Sequence, residues 1–296
     1  MGDPQVVQFY LSISIAIIML GMGLSLSISD FKRIKDDPKG VFIGLFNQLI
    51  LLPIIGFVII KMVGLENELA IGLMIIAACP GGATSNLISN LAKGDLGLSV
   101  TLTALSSTIT LFTIPLIANF AITHFMETDA TITLGFWETF SKMVMITLVP
   151  VSIGMFIRSR SVKFADRMEN PVKIASVVLM TTIIVGAVYA NRNDLLPALP
   201  KVGLAVISLN VITMLIGFFM GIWFNLNLRQ RVSISIECGI QNGSLALFIG
   251  QLGAMAAYPQ ILLAPAIYGT LMFATGGIFA AYYARLVSKD NAKNQF

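Results

Sequence analysis

The sequence predicts an all-α polytopic membrane protein with nine transmembrane helices arranged as an inverted repeat. Of its 296 residues, 56% are hydrophobic and only 11% are charged, and mean hydropathy is +0.86, against roughly 25% charged residues in a soluble domain. The apolar residues fall in nine stretches, each near the ~20 residues a helix needs to cross a bilayer core. Basic residues crowd into alternate joints between those stretches, as the positive-inside rule requires. A chain this apolar cannot cover itself with polar surface in water. That excludes a soluble enzyme, a disulfide scaffold, a disordered protein and a nucleic-acid binder, even with a pI near 9.1.

The stretches run 6–28, 40–63, 69–91, 96–122, 134–157, 171–190, 196–225, 231–254 and 258–285. The chain opens MGDPQVVQF, with no Lys or Arg before Lys32. The first stretch is therefore expected to be a retained span and not a signal peptide. One set of joints holds Lys32, Arg33, Lys35 and Lys39, then Lys93, then Arg158, Arg160, Lys163, Arg167 and Lys173, then Arg229 and Arg231, and finally Arg285, Lys289 and Lys293. The other set holds only Lys61, Arg192 and Lys201. This asymmetry supports nine spans with the N-terminus outside and the C-terminus cytoplasmic, and it accounts for the pI without an acidic partner.

Taken in order, the first span is plain. The second carries Asn47 and Gln48 in an apolar run, and the third is interrupted by Cys79-Pro-Gly-Gly-Ala-Thr-Ser-Asn86. Pro80 lacks a backbone donor, and Gly81 and Gly82 permit torsions that other residues resist, so a continuous helix is not expected there. The fourth span places Ser99 and Thr103 on one face. The fifth opens with Glu138 four residues before Lys142, a pair that can form on a helix. The sixth is plain, and the seventh carries Asn210. The eighth is interrupted by Glu237-Cys-Gly-Ile-Gln-Asn-Gly-Ser244, and the ninth completes the set. A single Pro/Gly kink is as readily a packing feature as a functional one. Two polar breaks, each in the third member of a four-span group with one linking span between the groups, point instead to the paired discontinuous helices of transporter binding sites.

Glu237 is the one acidic residue far from a span end; Asp194, Glu127 and Asp129, like most others, fall in joints. A carboxylate at mid-membrane costs about 2.5 to 3.5 kcal/mol on insertion scales, so it needs a cation, a proton or a hydrogen-bonded partner. No basic residue lies at comparable depth. The two breaks offer oxygen ligands in Thr84, Ser85, Asn86, Gln241, Asn242 and the Cys238 and Ile240 carbonyls, the ligand type that hard cations prefer. Cys79 and Cys238 lie in apolar surroundings without metal-site spacing, where small-residue packing explains them as well as a contact at a helix crossing does. The single His124 falls in a loop, so no His cluster or catalytic triad is readable.

Pro80-Gly-Gly-Ala-Thr-Ser-Asn86, Glu237-Cys-Gly-Ile-Gln-Asn242 and the first-joint Asp30-Phe-Lys-Arg33 together resemble the bile acid:sodium symporter family, over nearly the whole chain. The resemblance implies a core domain, here about 40–122 and 196–285, carrying two crossed broken helices, and a panel domain of about 6–28, 134–157 and 171–190. It implies two sodium sites: Ser85, Asn86, Ser99, Thr103 and Glu237 for the first, and Gln48, Glu237, Cys238, Ile240 and Gln241 for the second. Substrate contacts are expected near Ala83, Thr84, Asn242 and Thr270. The sequence departs from some bacterial members, which have ten spans, in having nine like the animal members, in reading Gly-Ala-Thr-Ser where those bacterial members read Gly-Thr-Ala-Ser, and in carrying Ile267-Tyr-Gly-Thr-Leu271 where some relatives have a His-Asn pair. The implied function is sodium-coupled symport of an organic anion, a carboxylate or bile-acid-like compound, across a bacterial inner membrane, with no enzymatic activity and no protein partner. The alternative is a proton-coupled carrier of organic or metalloid anions that uses Glu237.

Overall fold

A computed structural model describes residues 4–126, 134–190 and 192–293. These residues are helical almost throughout and include no β-strand. Besides short turns of helix at Ile28–Lys32, Arg33–Asp36, Gly253–Ala257 and Pro259–Leu262, the helices in order are α1 (Pro4–Ser25), α2 (Pro38–Val63), α3 (Asn67–Ala78), α4 (Ala83–Leu91), α5 (Leu96–Phe125), α6 (Phe136–Arg160), α7 (Val162–Ala190), α8 (Arg192–Trp223), α9 (Leu228–Gly239), α10 (Gly243–Ile249) and α11 (Leu263–Lys293).

Among the described residues, five helical segments are long and apolar enough to cross a membrane: α2, α5, α6, Leu196–Trp223 within α8, and Pro259–Lys293, which contains α11. A sixth forms if Phe9–Ser25 and Ile28–Asp36, bent by 77°, count as one. The expected third and eighth spans are each split into two short helices. α3 and α9 have 12 residues, α4 has 9 and α10 has 7, and at about 1.5 Å per residue none crosses a core of roughly 30 Å alone. The expected sixth span lies inside α7, which starts earlier and takes Lys163, Asp166 and Arg167 into the helix. Asp194, read as a joint residue, lies within α8, while Glu127 and Asp129 fall outside the described residues.

His124 is not in a loop. It sits in the last turn of α5, where its ring lies 5.2 Å from Phe57 and 5.5 Å from Phe120. Lys61 at the end of α2 lies over Phe57 and Phe125, and Gly64 closes α2 with φ 70°, a conformation that costs a glycine little.

Two of the prolines within helices are each accommodated by a wider turn. Pro53 and Pro150 each follow a π-helical turn, Asn47–Leu51 in α2 and Val144–Leu148 in α6. A proline ring clashes with the carbonyl four residues back, and a wider turn relieves that clash. In α2 the widened turn holds Asn47 and Gln48, both buried.

α1 lies against the second half of α6 and against α7. The approach is close enough that a Cβ on Gly154 would lie 2.5 Å from the Leu20 carbonyl, and one on Gly23 would overlap the Val151 carbonyl. α8 packs on α9 and α11, and α3 packs on α5 and α11. At one end of the molecule Asn227 and Gln230 form a capping box on α9, and the Gln230 amide also donates to Asp37, whose other oxygen caps α2.

Candidate functional site

The two interruptions meet. α3 ends at Cys79, which is extended at φ −72°, ψ 149°, as the residue before a proline prefers. Gly82 is also extended, at φ −138°. The second break is extended at Ile240, at φ −107°, ψ 97°. Gly81 and Gln241 form an isolated antiparallel bridge, and the Asn242 N–H donates to the Pro80 carbonyl at 2.8 Å. Backbone groups freed by one break are thus partly satisfied by the other, as a water-poor interior demands.

The glycines serve a purpose different from the expected torsional freedom. Neither Gly81 nor Gly82 has a positive φ. A Cβ on Gly81 would overlap Glu237 Oε2 and lie 3.1 Å from Ser85 Oγ. A Cβ on Gly239 would run into Met214. Lack of volume, not backbone freedom, explains both positions.

Glu237, in the last turn of α9, has no exposed surface. Its Oε1 accepts from Ser85 Oγ at 2.7 Å and Ser99 Oγ at 2.5 Å. Its Oε2 accepts from Thr103 Oγ1 at 3.0 Å and Gln48 Nε2 at 3.2 Å. Asn86 Oδ1 accepts from Ser99 Oγ at 2.8 Å and Thr103 Oγ1 at 3.2 Å. Four helices, α2, α4, α5 and α9, therefore bring Gln48, Ser85, Asn86, Ser99, Thr103 and Glu237 into one buried cluster.

Protons are scarce in that cluster. Each of the three hydroxyls has one proton, yet each lies within bonding distance of at least two acceptor oxygens, including Gly82 O at 2.6 Å from Ser85 Oγ and Ser99 O at 3.1 Å from Thr103 Oγ1. Beside it, Gln48 Oε1 and Gln241 Oε1 are buried without a hydrogen-bond partner among the described residues. An acceptor left so costs about 1–3 kcal/mol. The Cys238 carbonyl accepts from Gln241 Nε2 at 2.8 Å and Thr213 Oγ1 at 3.1 Å. Ile240 is fully buried at the break itself.

The groups expected near substrate are more dispersed. Ala83 is exposed and Thr84 half-buried in the first turn of α4, which no side chain caps. Asn242 is buried, with its Oδ1 capping α10 through Leu245 N at 3.1 Å. Thr270 is exposed on α11, and its hydroxyl donates to the Ala266 carbonyl of its own helix. No hydrogen bond among the described residues joins it to the other three. Cys79 and Cys238 are both buried free thiols.

Some supporting residues gave little sign of themselves in sequence. Asn210 Nδ2 donates to the Gly239 carbonyl at 2.6 Å, Tyr268 OH donates to the same oxygen at 2.9 Å, and Thr213 holds the Cys238 carbonyl. They bind the last carbonyls of α9, which the break leaves without helical partners. A polar residue in an apolar run marked Asn210; nothing local distinguishes Thr213 or Tyr268.

Two interrupted helices clasped over a buried, oxygen-surrounded carboxylate, inside an apolar helical bundle, define a multi-pass membrane transporter and not an enzyme. Residues 12–198 match the model of the Sodium Bile acid symporter family, and the chain belongs to that family. It is 29% identical over 265 residues to the "Uncharacterized sodium-dependent transporter YocS" of Bacillus subtilis, covering 89% of this chain and 79% of that protein. It is 29% identical to the "Ileal sodium/bile acid cotransporter" of Oryctolagus cuniculus, over 83% of this chain and 70% of that protein. Against the "Probable sodium/metabolite cotransporter BASS1, chloroplastic" of Arabidopsis thaliana it is 28% identical, over 75% of this chain but only 54% of the plant protein.

Proposed function

We propose that the protein is a sodium-coupled symporter of an organic anion, a carboxylate or bile-acid-like compound, working by alternating access. The observation that carries this reading is the shortage of protons around Glu237. Oxygens crowded about a desolvated carboxylate with too few hydrogens to bind them are stabilised by a cation of their own size range. The first sodium ion is assigned to Ser85, Asn86, Ser99, Thr103 and Glu237. The second is assigned to Gln48, Glu237, Cys238, Ile240 and Gln241, where the two unpartnered amide oxygens support it.

In this reading the chain spans the membrane nine times, with α3–α4 and α9–α10 each forming one broken span. The core comprises about 40–122 and 196–285, and the panel about 6–28, 134–157 and 171–190. The close glycine packing of α1 on α6 supports treating the panel as one body. The basic joints face the cytoplasm, with the N-terminus outside. The anion docks at the uncapped first turn of α4, near Ala83 and Thr84, with Asn242 and Thr270 completing the site. A helix N-terminus favours negative charge.

Coupling then follows from electrostatics. Sodium neutralises Glu237 and fixes the crossed segments, which readies the anion site beside them. Two Na⁺ with one monoanion carry one net charge, and about 100 mV supplies roughly 2.3 kcal/mol for it. A tenfold sodium gradient adds about 1.4 kcal/mol per ion, so the total near 5 kcal/mol supports accumulation of about 10³ to 10⁴ fold.

The test is the thermal stability of the detergent-purified protein as Na⁺ replaces K⁺ at constant ionic strength, for wild type and Glu237→Ala. A saturating, Na⁺-selective stabilisation that the mutant lacks is the expected result. Identical behaviour in the two salts, with stability responding instead to pH through Glu237, would overturn the sodium assignment.

A further inference from the structure

One helical turn from the Glu237 cluster, toward the side that carries Lys93, Arg229 and Arg231, three of the same helices present a second polar layer. On α9 Ser233 precedes Glu237 by four residues. On α4 Ser89 follows Ser85 by four, and at the start of α5 Asp95 precedes Ser99 by four. Residues four apart share a helix face, about 6 Å along the axis. The second layer is closed by hydrogen bonds: Ser89 Oγ and Ser233 Oγ are 2.8 Å apart, and Ser233 Oγ lies 2.8 Å from the Asp95 carbonyl. Both serines are fully buried.

Gly94 seals this layer from below. A Cβ there would lie 2.6 Å from Ser233 Oγ and 2.9 Å from Ser89 Oγ. On the far side, Gly94 and Asp95 line a cavity of about 430 Å³ together with Asn227, Arg229 and Asp290. Gly94 and Asp95 thus line that cavity and also abut the hydroxyl pair, one helical turn from Glu237. Burying hydroxyls among apolar helices costs free energy that alanines would not, even when they are paired.

We infer that Ser89 and Ser233 are the exit gate for the cation. This rests on the sodium reading of the Glu237 cluster. An ion leaving Glu237 exchanges its ligands stepwise for Ser89 Oγ, Ser233 Oγ and the Asp95 carbonyl, so no step crosses bare hydrocarbon. It enters the cavity as the Gly94–Asp95 segment moves aside and the two hydroxyls part. With sodium bound above it, the pair stays closed.

The experiment uses the full chain with Ser233→Cys or Ser89→Cys, and Asn291→Cys in the cavity wall as an accessible reference. Each is treated with a small cationic methanethiosulfonate in K⁺ or in Na⁺, and thiol modification is read by mass spectrometry against the wild type, whose Cys79 and Cys238 supply the background. Both gate variants are expected to react above that background in K⁺, and saturating Na⁺ is expected to slow them about tenfold or more by shifting the population to the closed form. Asn291→Cys should react alike in both salts. Gate cysteines that stay unmodified while Asn291→Cys reacts fully, or that react equally in both salts in a protein that Na⁺ still stabilises, would overturn the gate alone. Gate variants without the Na⁺ stabilisation of the wild type would place the pair in the binding site and overturn its exit role. Absence of that stabilisation from the wild type itself would remove the sodium reading, and the gate with it. Two independent positions guard against one substitution that disturbs folding.

Discussion

The backbone N–H of Asn242 donates to the carbonyl of Pro80 at 2.8 Å, which makes the two helix breaks a single unit although 162 positions separate them in the sequence. Glu237 and Ser85 lie just before and just after their respective breaks. Their 2.7 Å hydrogen bond depends on that clasp, so a change at one break is felt at the other.

Gly81→Ala tests the requirement for empty space beside the carboxylate. The new methyl would overlap Glu237 Oε2 and crowd Ser85 Oγ and Gln48 Nε2. Overpacking of this kind costs about 1–3 kcal/mol, and here it also displaces ligands of both assigned ion sites. Thermal melts in Na⁺ and K⁺ should show lower stability and loss of the Na⁺ increment. Gly82→Ala, whose Cβ would meet only Asn242 atoms at 3.8 Å and beyond, should retain that increment.

Asn242 bears on both stability and anion binding. Its Oδ1 caps α10, and Asn242→Ala should cost about 1 kcal/mol through the lost cap. Asn242→Asp keeps an acceptor at the same place but adds negative charge beside the proposed anion site. Melting should report an aspartate at least as destabilised as the alanine, because a carboxylate buried at this depth costs about 2.5 to 3.5 kcal/mol without a cation beside it, while anion-dependent stabilisation in sodium should fall at least about tenfold in apparent affinity, the equivalent of about 1.4 kcal/mol. An unchanged anion response in the aspartate variant would move the substrate away from Asn242.

Asn210 and Tyr268 converge on one oxygen, the Gly239 carbonyl. Asn210→Leu removes one donor and Tyr268→Phe the other, and each should destabilise by about 1 kcal/mol while its companion remains. Removing both leaves the carbonyl buried without either donor. The double variant should therefore lose more than the sum of the singles, a coupling measurable by a double-mutant cycle in detergent.

The components of the site were legible in sequence because membrane chemistry makes polar residues conspicuous. A carboxylate, two amides and several hydroxyls stand out against Leu/Ile/Val/Phe runs, and the Pro80 and Gly239 regions marked where helices stop. Their geometry was less legible. Gly81 and Gly82 suggest unusual torsions, whereas neither has a positive φ, and Gly81 makes room for the Glu237 carboxylate. That distinction depends on a residue more than 150 positions away, which local sequence does not report. Polarity near a span end makes His124 resemble a joint residue, whereas it lies in the last turn of α5 with three phenylalanine rings packed around it. Nothing local distinguishes Ser89 and Ser233, since lone serines in membrane helices ordinarily bond back to the preceding turn. Only the crossing of α4, α5 and α9 sets their hydroxyls face to face.

Gly154→Leu probes the other half of the molecule. Gly154 in α6 lies so close to α1 that any Cβ would sit 2.5 Å from the Leu20 carbonyl and 2.7 Å from the Gly23 carbonyl carbon, both backbone atoms that cannot rotate away. A leucine must push the two helices apart, at a cost of about 1–3 kcal/mol or more. None of the residues assigned to the ion sites lies on α1 or α6. The melting temperature should therefore drop in both salts while the Na⁺ increment survives, the reverse of the pattern expected for Gly81→Ala. If Gly154→Leu abolished the increment as well, the ion sites would depend on the packing of α1 against α6, and the division into a core that binds ions and a panel that does not would have to be abandoned.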